Sequence, residues 1–130
     1  MGSFVHLHVH SYYSILDGMS TISGLVDKAS ASGMNAIALT DHGNMFGVKE
    51  FFNYTKKKNA KVKSQIAEIK NALKKEGISE SEIAELSKQL AVAESRLFKP
   101  ILGCEAYVAR NTRHSKVNQE DRSGYHLVLL

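Results

Sequence analysis

The sequence predicts an α/β fold on three observations. A strand–helix–strand succession fills the first 40 residues, two more apolar runs lie near residues 101 and 125, and two stripes of helical spacing separate these regions. The chain has 130 residues, which suits one domain. With 43% hydrophobic and 23% charged residues, its composition excludes collagen-like, low-complexity and wholly disordered chains.

Taken in order, Phe4–Val9 reads as a short strand and Ser11–Ser20 as a loop. Ser20 or Thr21 can cap a helix that carries Ile22, Leu25, Val26 and Ala29 on one face, and Gly33 supplies its left-handed stop. Asn35–Thr40 is an apolar run of the kind covered on both faces in a parallel sheet. Strand, helix and strand within about 36 residues make a βαβ unit. After Gly47 a helix is expected with Val48, Phe51 and Phe52 on one side.

Val62, Ile66, Ile69 and Leu73 then step by three and four, as do Ile83, Leu86, Leu90, Ala93 and Leu97. Glu76-Gly77 breaks the two stripes apart, and Ser79 with Glu82 makes a capping box. This pattern predicts an antiparallel helical hairpin over about residues 56–98, appended to the core rather than forming a second one. Pro100 closes the hairpin. Ile101–Ala109 reads as a third strand, Arg110–Gly124 as a polar loop and Tyr125–Leu130 as a fourth, buried strand. Because termini normally reach solvent, a chain stopping inside that run is expected to be the front part of a longer domain.

The net charge is +4, but residues 1–48 carry −2, residues 49–99 carry +5 and residues 100–130 carry +1. The basic excess sits in the middle segment, with glutamates interspersed. That pattern suits a solvated helix face, and the run Lys56-Lys57-Lys58 is the only tight cluster a nucleic acid could use. A single cysteine, Cys104, excludes an internal disulfide and any multi-thiolate metal site. No apolar run nears the roughly 20 residues of a membrane span, and no signal peptide is visible, so a cytoplasmic protein is expected.

The histidines carry the chemistry. Three of the six stand at positions 6, 8 and 10, where a strand would point them to one face. Imidazoles so placed suit a borderline divalent metal. Asp41-His42-Gly43 follows the second strand, where parallel α/β folds deliver functional groups, although an Asx turn explains the same residues. Glu105 interrupts an apolar strand and is costly to bury unless paired or bound to a cation, or else it faces water at an edge. Asp17 also suits a turn before Gly18, His126 also suits a core position, and His114 is given no role. Together His8, His10, Asp17, His42, Glu105 and His126 make a nitrogen and oxygen donor set for two or three ions of Zn²⁺, Mn²⁺ or Fe²⁺. Such clusters lower the pKa of bound water and suit phosphoester hydrolysis. No P-loop, dinucleotide fingerprint or serine-hydrolase elbow occurs.

FVHLHVHSYYSILDG, AIALTDHGNMFGVKEF, PILGCEAYV and YHLVLL together resemble the N-terminal polymerase-and-histidinol-phosphatase (PHP) domain of bacterial DNA polymerase III alpha subunits. The resemblance covers residues 4–54 and 99–130 and sets the hairpin apart as an insertion. It implies the front part of a distorted (β/α)₇ barrel with a trinuclear site at its strand ends. It also implies metal ligation by His8, His10, Asp17, His42, Glu105 and His126. Of these, His8, His10, His42 and Glu105 would be catalytic, with His6 and Asp41 behind them. For the intact protein it implies DNA-directed DNA polymerase activity using Mg²⁺ in later domains, with the metal site serving 3′–5′ proofreading. DNA and other replisome subunits, including a proofreading exonuclease, would be partners. Two alternatives stand beside this: a structural, exonuclease-docking module without catalysis, and a stand-alone phosphoesterase resembling histidinol phosphatase. The open sheet edges of a half-barrel also predict self-association.

Overall fold

The computed structural model describes residues 4–114 and 124–130. Its elements are α1 (Ile22–Ala31), β1 (Ala36–Leu39), α2 (Val48–Lys58), α3 (Ala60–Ala72), α4 (Glu80–Ser95), β2 (Lys99–Leu102), β3 (Cys104–Val108) and β4 (Tyr125–Leu129).

Helix α1 begins where Thr21 Oγ1 accepts a hydrogen bond from Gly24 N–H at 3.1 Å. It ends before Gly33, whose φ of 81° allows the left-handed turn. Its buried stripe, Ile22, Val26 and Ala29, packs in one core with Ile37 and Leu39 of β1, Phe51 of α2 and Phe98. All four residues of β1 are buried, as a strand covered on both faces requires.

Strand β2 pairs with β1 in parallel, from Ala36↔Lys99 to Leu39↔Leu102. Along the opposite edge of β1, Ala38 N–H donates to His6 O at 2.8 Å and Thr40 N–H donates to Val9 O at 2.9 Å. Between these bonds the first segment spends three residues where β1 spends two, and the chain bends at Leu7–His8 to take up the surplus. The strand expected over Phe4–Val9 is therefore an interrupted edge segment. In α2, Phe51 is buried but Phe52 is 49% exposed, because a 100° step carries the next residue off the core face. Thr55, one turn beyond Phe51, is buried in its place.

Helices α3 and α4 pack on each other, while Lys56–Lys58, expected at the start of the hairpin, form the last turn of α2. The Ser79–Glu82 capping box forms in both directions, and Gly77 turns the chain at φ 84°. Ile66 and Ala93 are its buried residues, whereas Ile83 is 42% exposed beyond the packed part of its stripe. At the root, Asn59 Nδ2 donates to Phe98 O at 2.7 Å and Phe98 N–H donates to Asn59 Oδ1 at 3.0 Å. Both residues are buried, so the two ends of the hairpin are clasped against the core.

The strand expected over Ile101–Ala109 is two strands in two sheets. A Cβ on Gly103 would stand 2.4 Å from Leu129 O and 3.0 Å from Thr40 Cγ2. Only glycine passes this point, where the chain leaves β2 and enters β3. β3 pairs antiparallel with β4, from Cys104↔Leu129 to Val108↔Tyr125. The fourth strand is not buried: Tyr125, Leu127 and Leu129 are each at least half exposed, and the guanidinium of Arg110 lies over the Tyr125 ring, 5.3 Å from its centroid. The architecture is mixed α/β with two two-stranded sheets, and no barrel closes among the described residues. Residues 115–123 of the expected polar loop lie outside the described residues. No helix among the described residues is long and apolar enough to cross a membrane.

Candidate metal centre

Parallel pairing of β1 and β2 brings the residues after both strands to one rim. There His42 and Glu105 form a parallel bridge, with Glu105 N–H donating to Asp41 O at 3.1 Å and Gly43 N–H donating to Glu105 O at 2.8 Å. The bridge holds the His42 and Glu105 side chains on a shared backbone frame. The His8–His10 segment arrives from the other edge of β1.

Glu105 is the centre of the arrangement. Its residue is 7% exposed. Oε2 lies 2.9 Å from His10 Nε2, 2.8 Å from His42 Nδ1 and 3.6 Å from His8 Nε2, while Oε1 lies 3.2 Å from His126 Nδ1. His8 Nε2 and His10 Nε2 are 3.0 Å apart, and Asp17 Oδ2 is 3.4 Å from His42 Nδ1. Two ligand groups result, His8–His10–Glu105 and His42–Glu105–His126, and Glu105 belongs to both. Burial pushes the Glu105 carboxyl up, but the hydrogen bond from His42 and the nearby His10, His42 and His8 outweigh it, so the group sits below the ordinary glutamate value.

The donor set fits a divalent cation. Ligand atoms about 2.0–2.1 Å from a tetrahedral ion stand roughly 3.3 Å from one another. The Glu105 oxygens stand 2.8 to 3.6 Å from the four histidine nitrogens, and the ligand atoms within each group lie within 4.8 Å of one another. The facing Nε2 atoms of His8 and His10 point the same way, since two imidazole nitrogens at 3.0 Å share one proton or turn two lone pairs on one ion.

Asp41 does not join the ligands. It is 1% exposed and accepts hydrogen bonds from Ser11 N–H at 2.7 Å, from Ser11 Oγ at 3.0 Å and from Ser14 Oγ at 2.7 Å. Ser14 Oγ in turn accepts His42 N–H at 2.9 Å. This network fastens the loop after His10, which carries Asp17, to the start of the His42 turn. His6 stands apart from the cluster, with its ring edge-to-face against Phe4 at 4.7 Å, because the bend at Leu7–His8 breaks the alternation that would have aligned it with His8. His114 meets Arg113 in a surface contact away from these groups.

The PHP domain family matches residues 6–130. The chain belongs to the PHP family. DNA polymerase III subunit alpha of Borreliella burgdorferi is 36% identical over 129 residues, that of Treponema pallidum 37% over 129 residues, and that of Aquifex aeolicus 34% over 133 residues. Each alignment covers 98% of this chain, and the PHP chain spans 8% of the length of each of these relatives.

Residue-by-residue reading of this PHP domain missed Ser11, Ser14 and Tyr107. Tyr107 lies edge-on to His42 at 4.9 Å and to His126 at 5.0 Å, with its hydroxyl against His42 Nε2. The signal was present: Tyr107 follows Glu105 by two in a strand and so shares its face. The serines gave a weaker one, because their role depends on Asp41 arriving from β1.

Proposed function

We propose that this chain is the metal-binding PHP module of a bacterial replicative DNA polymerase alpha subunit and that its centre serves hydrolysis of phosphodiesters at a DNA 3′ end. The observation that carries this reading is the sharing of one buried carboxylate, Glu105, between two groups of histidines. In this reading His8, His10, Asp17, His42, Glu105 and His126 hold the ions, and Zn²⁺ or Mn²⁺ suits their nitrogen and oxygen donors. Bound divalent cations would activate water and offset charge on a phosphoryl oxygen. The chain's own part is to orient His42 and Glu105 through their backbone bridge and to hold the Asp17 loop through Asp41, Ser11 and Ser14. DNA polymerisation itself, with its Mg²⁺, is assigned to the remainder of a polypeptide like the relatives, acting in the cytoplasm with other replisome subunits. Residues 4–54 and 99–130 would then be the opening of a (β/α)₇ barrel, and residues 56–98 an insertion in it.

Metal analysis together with hydrolysis of a 3′-terminated single strand tests this. The expected result is at least about one transition-metal ion per chain and a strong reduction of both metal content and hydrolysis in His42→Ala and Glu105→Gln. Metal content unchanged in His42→Ala overturns the ligand assignment. Metal retained with no hydrolysis in the full-length polypeptide overturns the catalytic reading and leaves a structural, exonuclease-docking one.

A further inference from the structure

Tyr107 is 61% exposed, yet its ring is held on two sides within the histidine cluster. The rings of His42, His126 and Tyr107 meet one another edge-to-face, with centroids 4.8–5.0 Å apart and interplanar angles of 82–86°. Across the sheet Tyr107 is the register partner of His126. The position is also reserved from the other side. Gly43 has φ 64°, and a Cβ there would stand 2.8 Å from Tyr107 Cε2. Two separate features, a glycine and a cross-strand partner, therefore seat this ring so that its hydroxyl meets His42 Nε2.

His42 faces different demands at its two nitrogens. Nδ1 lies 2.8 Å from Glu105 Oε2, so without a cation the carboxylate favours the tautomer with its proton on Nδ1. To serve as a ligand through Nδ1 the imidazole must carry that proton on Nε2 instead. A neutral imidazole makes this change with no net gain or loss of protons. The partner at Nε2 must then donate in one state and accept in the other. A hydroxyl does both; a carboxylate or an ammonium does only one.

We infer that Tyr107 is a positioning residue for the metal centre, its hydroxyl donating to His42 Nε2 in the empty site and accepting the Nε2–H of His42 in the loaded one. The inference rests on the reading of the cluster as a metal site. Hydrogen bonds of this kind to a ligating histidine typically carry about 10- to 100-fold in metal affinity.

The test uses the full chain with ¹⁵N-labelled histidine, Zn²⁺ alone as the probe, calorimetry for affinity and long-range ¹H–¹⁵N correlation spectra for the tautomer. The wild-type chain is expected to move His42 from the Nδ1–H to the Nε2–H form as Zn²⁺ is added. Tyr107→Phe, which keeps the ring and its contacts, is expected to bind Zn²⁺ about tenfold more weakly at an unchanged urea midpoint. Gly43→Ala, which crowds the ring, is expected to shift affinity in the same direction. Equal Zn²⁺ affinity in Tyr107→Phe, or a loaded His42 still protonated on Nδ1, overturns the role given to Tyr107 while the metal site stands. A wild-type chain that takes up no Zn²⁺ overturns the metal reading and this inference with it.

Discussion

Ser14 and Asp41 stabilise the rim by a short chain of hydrogen bonds. Ser14 Oγ donates to Asp41 Oδ1 at 2.7 Å and accepts His42 N–H at 2.9 Å. Replacing Ser14 by Ala removes a donor from a buried carboxylate and strands a backbone N–H. The expected cost is about 1–3 kcal/mol of stability, read as a lower urea midpoint. Glu105 sets the acid response. Its carboxyl lies below the ordinary value of 4.5 in the folded chain, so the unfolded chain binds more protons at mildly acidic pH. Its contribution is complete above that ordinary value and is lost as pH falls through the lower folded one. In metal-free protein, the wild-type urea midpoint should fall with acidification more steeply than that of Glu105→Gln; parallel curves would contradict this. The sequence showed that Glu105 needed a partner, since a carboxylate in an apolar run is costly. It left open whether histidines or water supplied one, because all four histidines come from other segments.

At the level of elements, regular helices were readable to within a few residues. Caps and stops are local chemistry: Thr21 opens α1, Gly33 closes it, and Ser79 with Glu82 opens α4. Strands were less readable. Phe4–Val9 has strand composition, but its regularity depended on register against β1, which the extra residue spoils. Ile101–Ala109 looked continuous because nothing in its composition reveals that the chain changes neighbours at Gly103. That glycine gives a sharp prediction. Gly103→Ala would force its methyl against Leu129 O and Thr40 Cγ2, destabilising the domain by about 1–3 kcal/mol. Loss of amide protection in hydrogen exchange should be greatest in β3 and β4. A change confined to β1 and β2 would show that the switch lies elsewhere.

For the molecule as a whole, the mixed α/β class was legible and the exposure of its last strand was not. Apolar sequence predicted cover over Tyr125–Leu130, whereas among the described residues β4 pairs with β3 alone and its Tyr125–Leu129 face stays largely exposed. Leu127 is 50% exposed and Leu129 is 51% exposed, on a face they share with Tyr125. Exposed apolar strand surface of this kind favours association. Light scattering is expected to show apparent mass rising with concentration, and Leu127→Lys is expected to weaken that rise. A constant monomer mass in the wild type would contradict it.

The reciprocal bonds between Asn59 and Phe98 work like a buckle at the neck of the hairpin. What lies beyond the neck can be lengthened, shortened or recoded with little strain reaching the ligands. A peptide tag or fluorophore grafted at the exposed Glu76, leaving Gly77 with its φ of 84° in place, could therefore report on this domain from outside.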